Sequence, residues 1–229
     1  MGSSFWPLFD LELVTDRLVM RPPRDEDFPG LLEAIDAGIH DPQDMPFSIP
    51  WTDAEPSQRT LMSVQHWWGQ RSGWSVDDWH LPFAVFVDGR PVGVQSLLAT
   101  RFPVLKEVST GSWLTRSAQG NGFGREMRAA VLQFAFDELG AEIARSGAYL
   151  DNPASQAVSR AIGYRENGRR REAPRGVPKV MVDFELSRQE WSEVAGRFKA
   201  ARIKGVEACI EMFIQQSGQE EGTHGERPS

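Results

Sequence analysis

A single cysteine, Cys209, in 229 residues excludes an intramolecular disulfide and any cysteine-ligated metal cluster. No apolar run approaches the roughly 20 residues needed to cross a bilayer, so no membrane is expected as a partner. The opening Met-Gly-Ser-Ser-Phe-Trp-Pro-Leu-Phe-Asp lacks the basic region and apolar stretch of a secretory signal, which makes a cytoplasmic protein of bacterial type the expectation. A basic surplus is missing too. The net charge of −7 argues against general nucleic-acid binding, which needs a basic face to displace counterions, and leaves room for a basic partner such as an amine. The chain has no internal repeat and no long linker before residue 187. What remains is ordinary globular composition, 40% hydrophobic and 25% charged, with length enough for one substantial domain and an appendage.

Alternation of Leu18 and Met20 with Arg17 and Arg21 predicts a first strand over 15–23. Phe28, Leu31, Leu32 and Ile35 share one face of a helix over 25–38, and a second helix is expected over 54–70. Strands follow over 80–87, 91–100 and 104–115, the first two joined by the hairpin signal Asp88-Gly89. Phe123, Met127, Ala130, Val131 and Phe134 recur at helical spacing to about 139. A strand near 145–151, a helix from Pro153 capped by Asn152, and strands near 164–170 and 179–186 complete the pattern. The fold class is therefore α+β, with a mixed sheet of about seven strands flanked by four helices. Residues 1–187 read as the domain, 188–216 as a C-terminal helix capped by Ser187, and the polar 217–229 as a disordered tail. Ile203, Val206, Ile210 and Phe213 give that helix an apolar stripe, suited equally to packing on its own domain or to a homo-oligomer.

The most informative segment is Gln119-Gly120-Asn121-Gly122-Phe123-Gly124, between a strand and a strongly patterned helix. Three glycines in five positions let a ligand approach the backbone, and the helix aims its unpaired N–H groups and positive dipole end at that place. This suits a phosphate. A P-loop is excluded because no Gly-Lys-Ser/Thr follows. The Gly120-x-Gly122-x-Gly124 spacing after antiparallel strands does not fit a dinucleotide fingerprint.

Gln119-x-x-Gly122-x-Gly124 at a strand-to-helix junction resembles the signature of the GNAT acyltransferases. Asn152-Pro153-Ala154-Ser155 with Ile162-Gly163-Tyr164 is similar to that superfamily's downstream segment. Gly111-Ser112-Trp113-Leu114 and Thr15-Asp16-Arg17-Leu18 with Arg21 resemble the branch that acetylates ribosomal-protein N-termini. The likeness covers about residues 13–186. A closer similarity, through Trp6 to Leu11, His40-Asp41-Pro42, Met45 to Thr52, Met127 to Leu132 and Asp151 to Ser155, is to a mycobacterial GNAT group linked to succinyl-CoA.

The resemblance implies an acyl-CoA donor, acetyl-CoA or succinyl-CoA, an amine acceptor, and no metal. The amides of Gln119, Gly120, Asn121, Gly122, Phe123 and Gly124 would hold the CoA pyrophosphate, with Arg125 and Arg128 nearby. Trp113, Leu114 and Thr115 would pair with the pantetheine arm, and that strand would splay from the next to admit the thioester. Asn152 would bond the arm, and an N–H near Trp113 would polarise the carbonyl. The family's usual tyrosine acid falls at Ser159 and the branch's strand glutamate at Ser109, so Ser155 and Glu107 are the substitutes expected for thiolate and amine. His40, Asp41, Phe47, Ile49 and Trp51 are the expected acceptor-pocket residues, and Arg71, His40 and His80 the candidate cations for a succinyl tail. Three functions follow: an N-acyltransferase acting on a protein N-terminus or lysine, a small-molecule or drug acetyltransferase, and a non-catalytic acyl-CoA-binding module.

Overall fold

The computed structural model describes residues 5–214. Its chain order is β1 (Glu12–Val14), β2 (Val19–Arg21), α1 (Phe28–Asp36), α2 (Pro56–Ser72), β3 (Asp78–Val87), β4 (Arg90–Thr100), α3 (Phe102–Leu105), β5 (Glu107–Leu114), α4 (Phe123–Gln133), β6 (Ile143–Tyr149), α5 (Pro153–Ile162), β7 (Arg165–Glu172), β8 (Lys179–Ser187), α6 (Arg188–Val194), β9 (Arg202–Lys204) and α7 (Val206–Cys209). The strands form one sheet in the order β7-β8-β6-β5-β4-β3-β2-β1-β9. The class is α+β, as expected.

The sheet has nine strands rather than about seven, and both additions lie near the chain ends. The segment expected as one strand over 15–23 turns at Thr15–Leu18, where the Thr15 N–H bonds the Leu18 carbonyl at 2.9 Å, leaving β1 and β2 antiparallel. Residues 188–214 are not one helix. After α6 the chain extends, and β9 pairs with β1 through Leu13↔Ile203. Gly205, at φ +78°, then turns the chain so close to the Asp10 carbonyl that an added Cβ would lie 2.0 Å from its oxygen. The stripe Ile203, Val206, Ile210 and Phe213 packs on the chain's own core.

Neighbouring strands are antiparallel except β5 and β6, which are parallel and joined through α4. Alternation along β3 sends Phe83 and Val85 into one core with α4 and α5, and Ala84 and Phe86 into a second with α1 and α2. Helices therefore cover both faces of the sheet at β3 and β4. No helix among the described residues is long and apolar enough to cross a membrane.

Candidate active site

The parallel pair is where the sheet opens. β5 and β6 are in register from Glu107↔Ile143 to Thr110↔Ser146 and pair no further, so Gly111–Leu114 splays from Gly147–Tyr149. A cleft of about 1520 Å³ fills the gap and runs from the glycine loop to residues of β7 and β8.

The loop is held open by its own side chains. Gln119 donates from Nε2 to the Ile39 carbonyl at 2.6 Å and the Leu114 carbonyl at 2.9 Å. Asn121 donates from Nδ2 to the carbonyls of Ala118 and Gln119 at 3.3 and 3.1 Å. Gly120 and Gly122 sit at φ +78° and +81°, a backbone region that a side chain disfavours. The Gln119 N–H is consumed by the carbonyls of Thr115 and Arg116, so it leaves the expected set of six. The N–H groups of Gly120, Asn121, Gly122, Phe123 and Gly124 donate to no group among the described residues. Five free amides at the start of an eleven-residue helix fit a pyrophosphate.

A contact that the sequence did not reveal braces this cradle from outside. Arg17, in the β1–β2 turn, pairs with Glu126, donates to the Asn121 carbonyl at 2.9 Å and lies over the Phe123 ring at 4.7 Å. Thr15 Oγ1 donates to the other Glu126 oxygen at 2.5 Å. The side chain of Arg17 is half exposed, so Arg17→Ala should cost less than about 1 kcal/mol of stability. It should nonetheless weaken CoA binding about tenfold, or 1.4 kcal/mol, by freeing the loop, measurable by calorimetry; unchanged affinity would remove Arg17 from the site.

On the splayed strand, the Thr115 N–H bonds the Val92 carbonyl at 2.8 Å. Antiparallel alternation sends the Trp113 N–H to the same side, toward Val94, and turns the Ser112 and Leu114 N–H groups to the gap. Of the N–H groups near Trp113, those of Leu114 and Ser112 therefore face the gap, and that of Trp113 itself does not. The Trp113 ring instead ends an aromatic chain from the acceptor loop: His40–Phe47 at 5.7 Å, Phe47–Trp51 at 5.3 Å and Trp51–Trp113 at 6.4 Å.

Of the expected pocket residues, His40, Asp41 and Phe47 line the cleft. Trp51 stands behind Phe47, and Ile49 is 70% exposed, outside the lining. His40 has no free ring nitrogen: Nδ1 bonds the Asp41 carbonyl, which assigns the proton there, and Nε2 bonds Thr52 Oγ1, both at 2.8 Å. The loop is fastened across the cleft. Ser48 donates to Glu172 at 2.6 Å, Lys179 to the Met45 carbonyl at 3.0 Å, and Arg175 pairs with Asp53 at 2.6 Å. Burial works to raise the Glu172 pKa, but hydrogen bonds from Ser48, Tyr149 and Arg170 outweigh it and hold the carboxyl below its usual range.

Asn152 accepts the Ser155 N–H at 3.1 Å, capping α5, and both line the cleft. Ser159, at the place of the usual tyrosine, is fully buried with an unbonded hydroxyl and cannot meet a ligand there. Glu107 lies outside the lining, its carboxylate engaged by Arg145 at 2.5 Å. Two cations named for a tail are elsewhere. Arg71 pairs with Asp25 at 2.5 Å, and His80 lies against Gln70, its pKa pushed by burial and by His66 down to about 4.

A family model for the acetyltransferase (GNAT) domain matches residues 17–165, more than half of the chain. The chain belongs to the GNAT acetyltransferase family. Among solved GNAT structures, Mycobacterium smegmatis RimJ, in complex with CoA-disulfide, is 19% identical with a TM-score of 0.68, covering 89% of this chain and 95% of that one. RimL, a ribosomal L7/L12 alpha-N-protein acetyltransferase in complex with coenzyme A, is 18% identical with a TM-score of 0.62, covering 76% and 96%. The microcin C7 self-immunity acetyltransferase MccE, in complex with acetyl-CoA and AMP, is 16% identical at 0.60, covering 76% and 93%. At these identities the likeness is one of fold.

Proposed function

We propose that the protein is an acyl-CoA-dependent N-acyltransferase that moves an acetyl or succinyl group directly from the thioester to an amine. The observation that carries this reading is the row of five free amides, Gly120 to Gly124, opening onto a parallel strand pair that separates after Thr110↔Ser146. The amides take the pyrophosphate, and the arm follows β5 in place of the missing strand partner, with Asn152 across the gap. The thioester oxygen faces the Leu114 or Ser112 N–H, which gains strength as charge develops on it. The amine nitrogen attacks the carbonyl carbon, the C–N bond forms, the C–S bond breaks, and sulfur leaves with the electron pair. The proton lost by nitrogen is matched by one gained at sulfur, and Ser155 is positioned to pass it.

The acceptor enters beside His40, Asp41 and Phe47. With Glu107 bound to Arg145 and both His40 nitrogens engaged, the cleft is poorly supplied with bases, which favours an amine needing little help. Freeing an α-amine of pKa about 8 at neutral pH costs about 1 kcal/mol, against 4–5 for a lysine of pKa about 10.4. A protein or peptide N-terminus is therefore the preferred acceptor over lysine or a small amine, and the cytoplasm the compartment that supplies it. Thiol release from acetyl-CoA and succinyl-CoA across a panel of N-terminal peptides, lysine peptides and small amines tests this. Ser155→Ala should lower turnover on the order of 100-fold with acyl-CoA affinity unchanged; equal turnover would remove it from the mechanism.

Burial of Ser159 and capture of Glu107 by Arg145 favour a second reading, an acyl-CoA sensor without catalysis. Tight CoA binding with no thiol release for any acceptor would select it.

A further inference from the structure

Two charged side chains are buried among the described residues. Asp27 has its counter-ion, bonded by Arg21 at 2.6 and 2.7 Å. Arg128, 4% exposed, has none. Its guanidinium donates to Ser146 Oγ at 3.0 Å, Ser112 Oγ at 3.3 Å and Gln95 Oε1 at 3.4 Å, all neutral oxygens. Tyr164 lies beside it, but burial raises the pKa of that phenol and keeps it uncharged, so it is no counter-ion. A buried guanidinium stays protonated and pays for lost hydration unless an anion meets it.

The position is informative. Ser146 belongs to the last β5–β6 pair and Ser112 lies two residues beyond Thr110, so Arg128 sits at the apex of the splay, and it lines the cleft. Three other cations of the lining are neutralised: Arg145 by Glu107 and Glu185, Arg170 by Glu172 and Asp183, Lys179 by Asp151. Arg116 and Arg125 are exposed beside the glycine loop, where phosphate charge belongs. Arg128, at the apex of the splay, is the remaining cation of the lining.

We propose that Arg128 receives a carboxylate at the end of the donor's acyl chain, making it the residue that selects a dicarboxylic mono-thioester of CoA over a neutral acyl chain of equal length. The inference rests on the acyl-CoA reading of the cleft. The Ser112 and Ser146 hydroxyls, which accept from Arg128, each keep a proton to donate to the same carboxylate. Arg71, His40 and His80 are not needed for this task.

Calorimetric titration of the protein with CoA, butyryl-CoA, succinyl-CoA and glutaryl-CoA tests it. Butyryl and succinyl chains have equal carbon count and differ at the terminal group. The intact protein should bind one of the two dicarboxylic species at least about tenfold more tightly than butyryl-CoA. Arg128→Met, which keeps an unbranched apolar stem in the buried space, should erase that ratio, and Arg128→Lys should restore part of it. Butyryl-CoA binding as tightly as both dicarboxylic species to the intact protein overturns the proposal, whether or not either variant folds. An undiminished ratio in Arg128→Met overturns it too. Failure of every CoA species to bind would instead overturn the acyl-CoA reading itself.

Discussion

Gly122→Val should give a folded protein that CoA no longer stabilises. Gly122 holds φ +81°, where an L-residue pays about 1–2 kcal/mol and a β-branched one more. Relief of that strain would rotate the peptide planes on either side, which carry the amides of Gly122 and Phe123. The valine side chain would also press on the Arg17 guanidinium, which lies 3.5 Å from an added Cβ and braces the loop. At a hundred times its Kd, CoA should stabilise the natural protein by about 2.7 kcal/mol, and the variant by almost nothing. Thermal denaturation with and without CoA reads this directly. Gly89→Val supplies the control: Gly89 has φ +76° and no atom within 4 Å of an added Cβ, and it lies in the β3–β4 turn, away from the cleft. It should lose comparable stability and keep the whole CoA response. Equal responses from both variants would show that the loop does not carry the phosphates.

The largest stability effect is expected far from that loop, at Phe213→Ala. Phe213 is fully buried, with its ring edge-on to Trp79, Trp74 and Phe134 at 5.1, 5.3 and 5.8 Å. Trp74 also donates its indole N–H to the Met212 carbonyl at 3.0 Å, tying the same segment down. Removal of a buried phenyl ring costs about 3–5 kcal/mol, a large share of the roughly 5–15 that hold a domain together. Equilibrium unfolding in urea should show that loss with a folded baseline still present. A change below about 1 kcal/mol would mean that the segment docks weakly and that the stripe of Ile203, Val206 and Ile210 is free for another partner.

The parts legible in the sequence are those whose signals are local. Asn152 before Pro153 predicted α5 to the residue, because a side-chain cap and a proline at the first helical position act within one turn. Asp88-Gly89 located the β3–β4 hairpin for the same reason, and the glycine loop announced itself through spacing. What stayed hidden depends on distant partners. Glu107 does share a strand face with Ser109, but only the fold brings Arg145 from β6 against it. The direction of the Trp113 N–H is set by β4, which no pattern in residues 107–114 encodes. In 188–214 the apolar spacing imitates a helix, yet Leu13 offers a strand edge to Ile203 and Gly205 requires a turn, so pairing overrides periodicity. Arg128 read as a phosphate ligand by its nearness to the loop in sequence; its buried place between Ser112 and Ser146 follows from which face of α4 meets the sheet.

The pairing of β1 with β9 joins Glu12 to Lys204 and Val14 to Arg202, almost the full length of the described chain. Contacts so remote in sequence close late, after shorter loops have formed, and during synthesis they wait until the last strand has left the ribosome. The turn that follows β1 carries Thr15 and Arg17, the residues that grip the glycine loop. Nascent chains lacking residues 202–213 should therefore carry a slack cradle, and cofactor capture should follow the emergence of β9 rather than precede it.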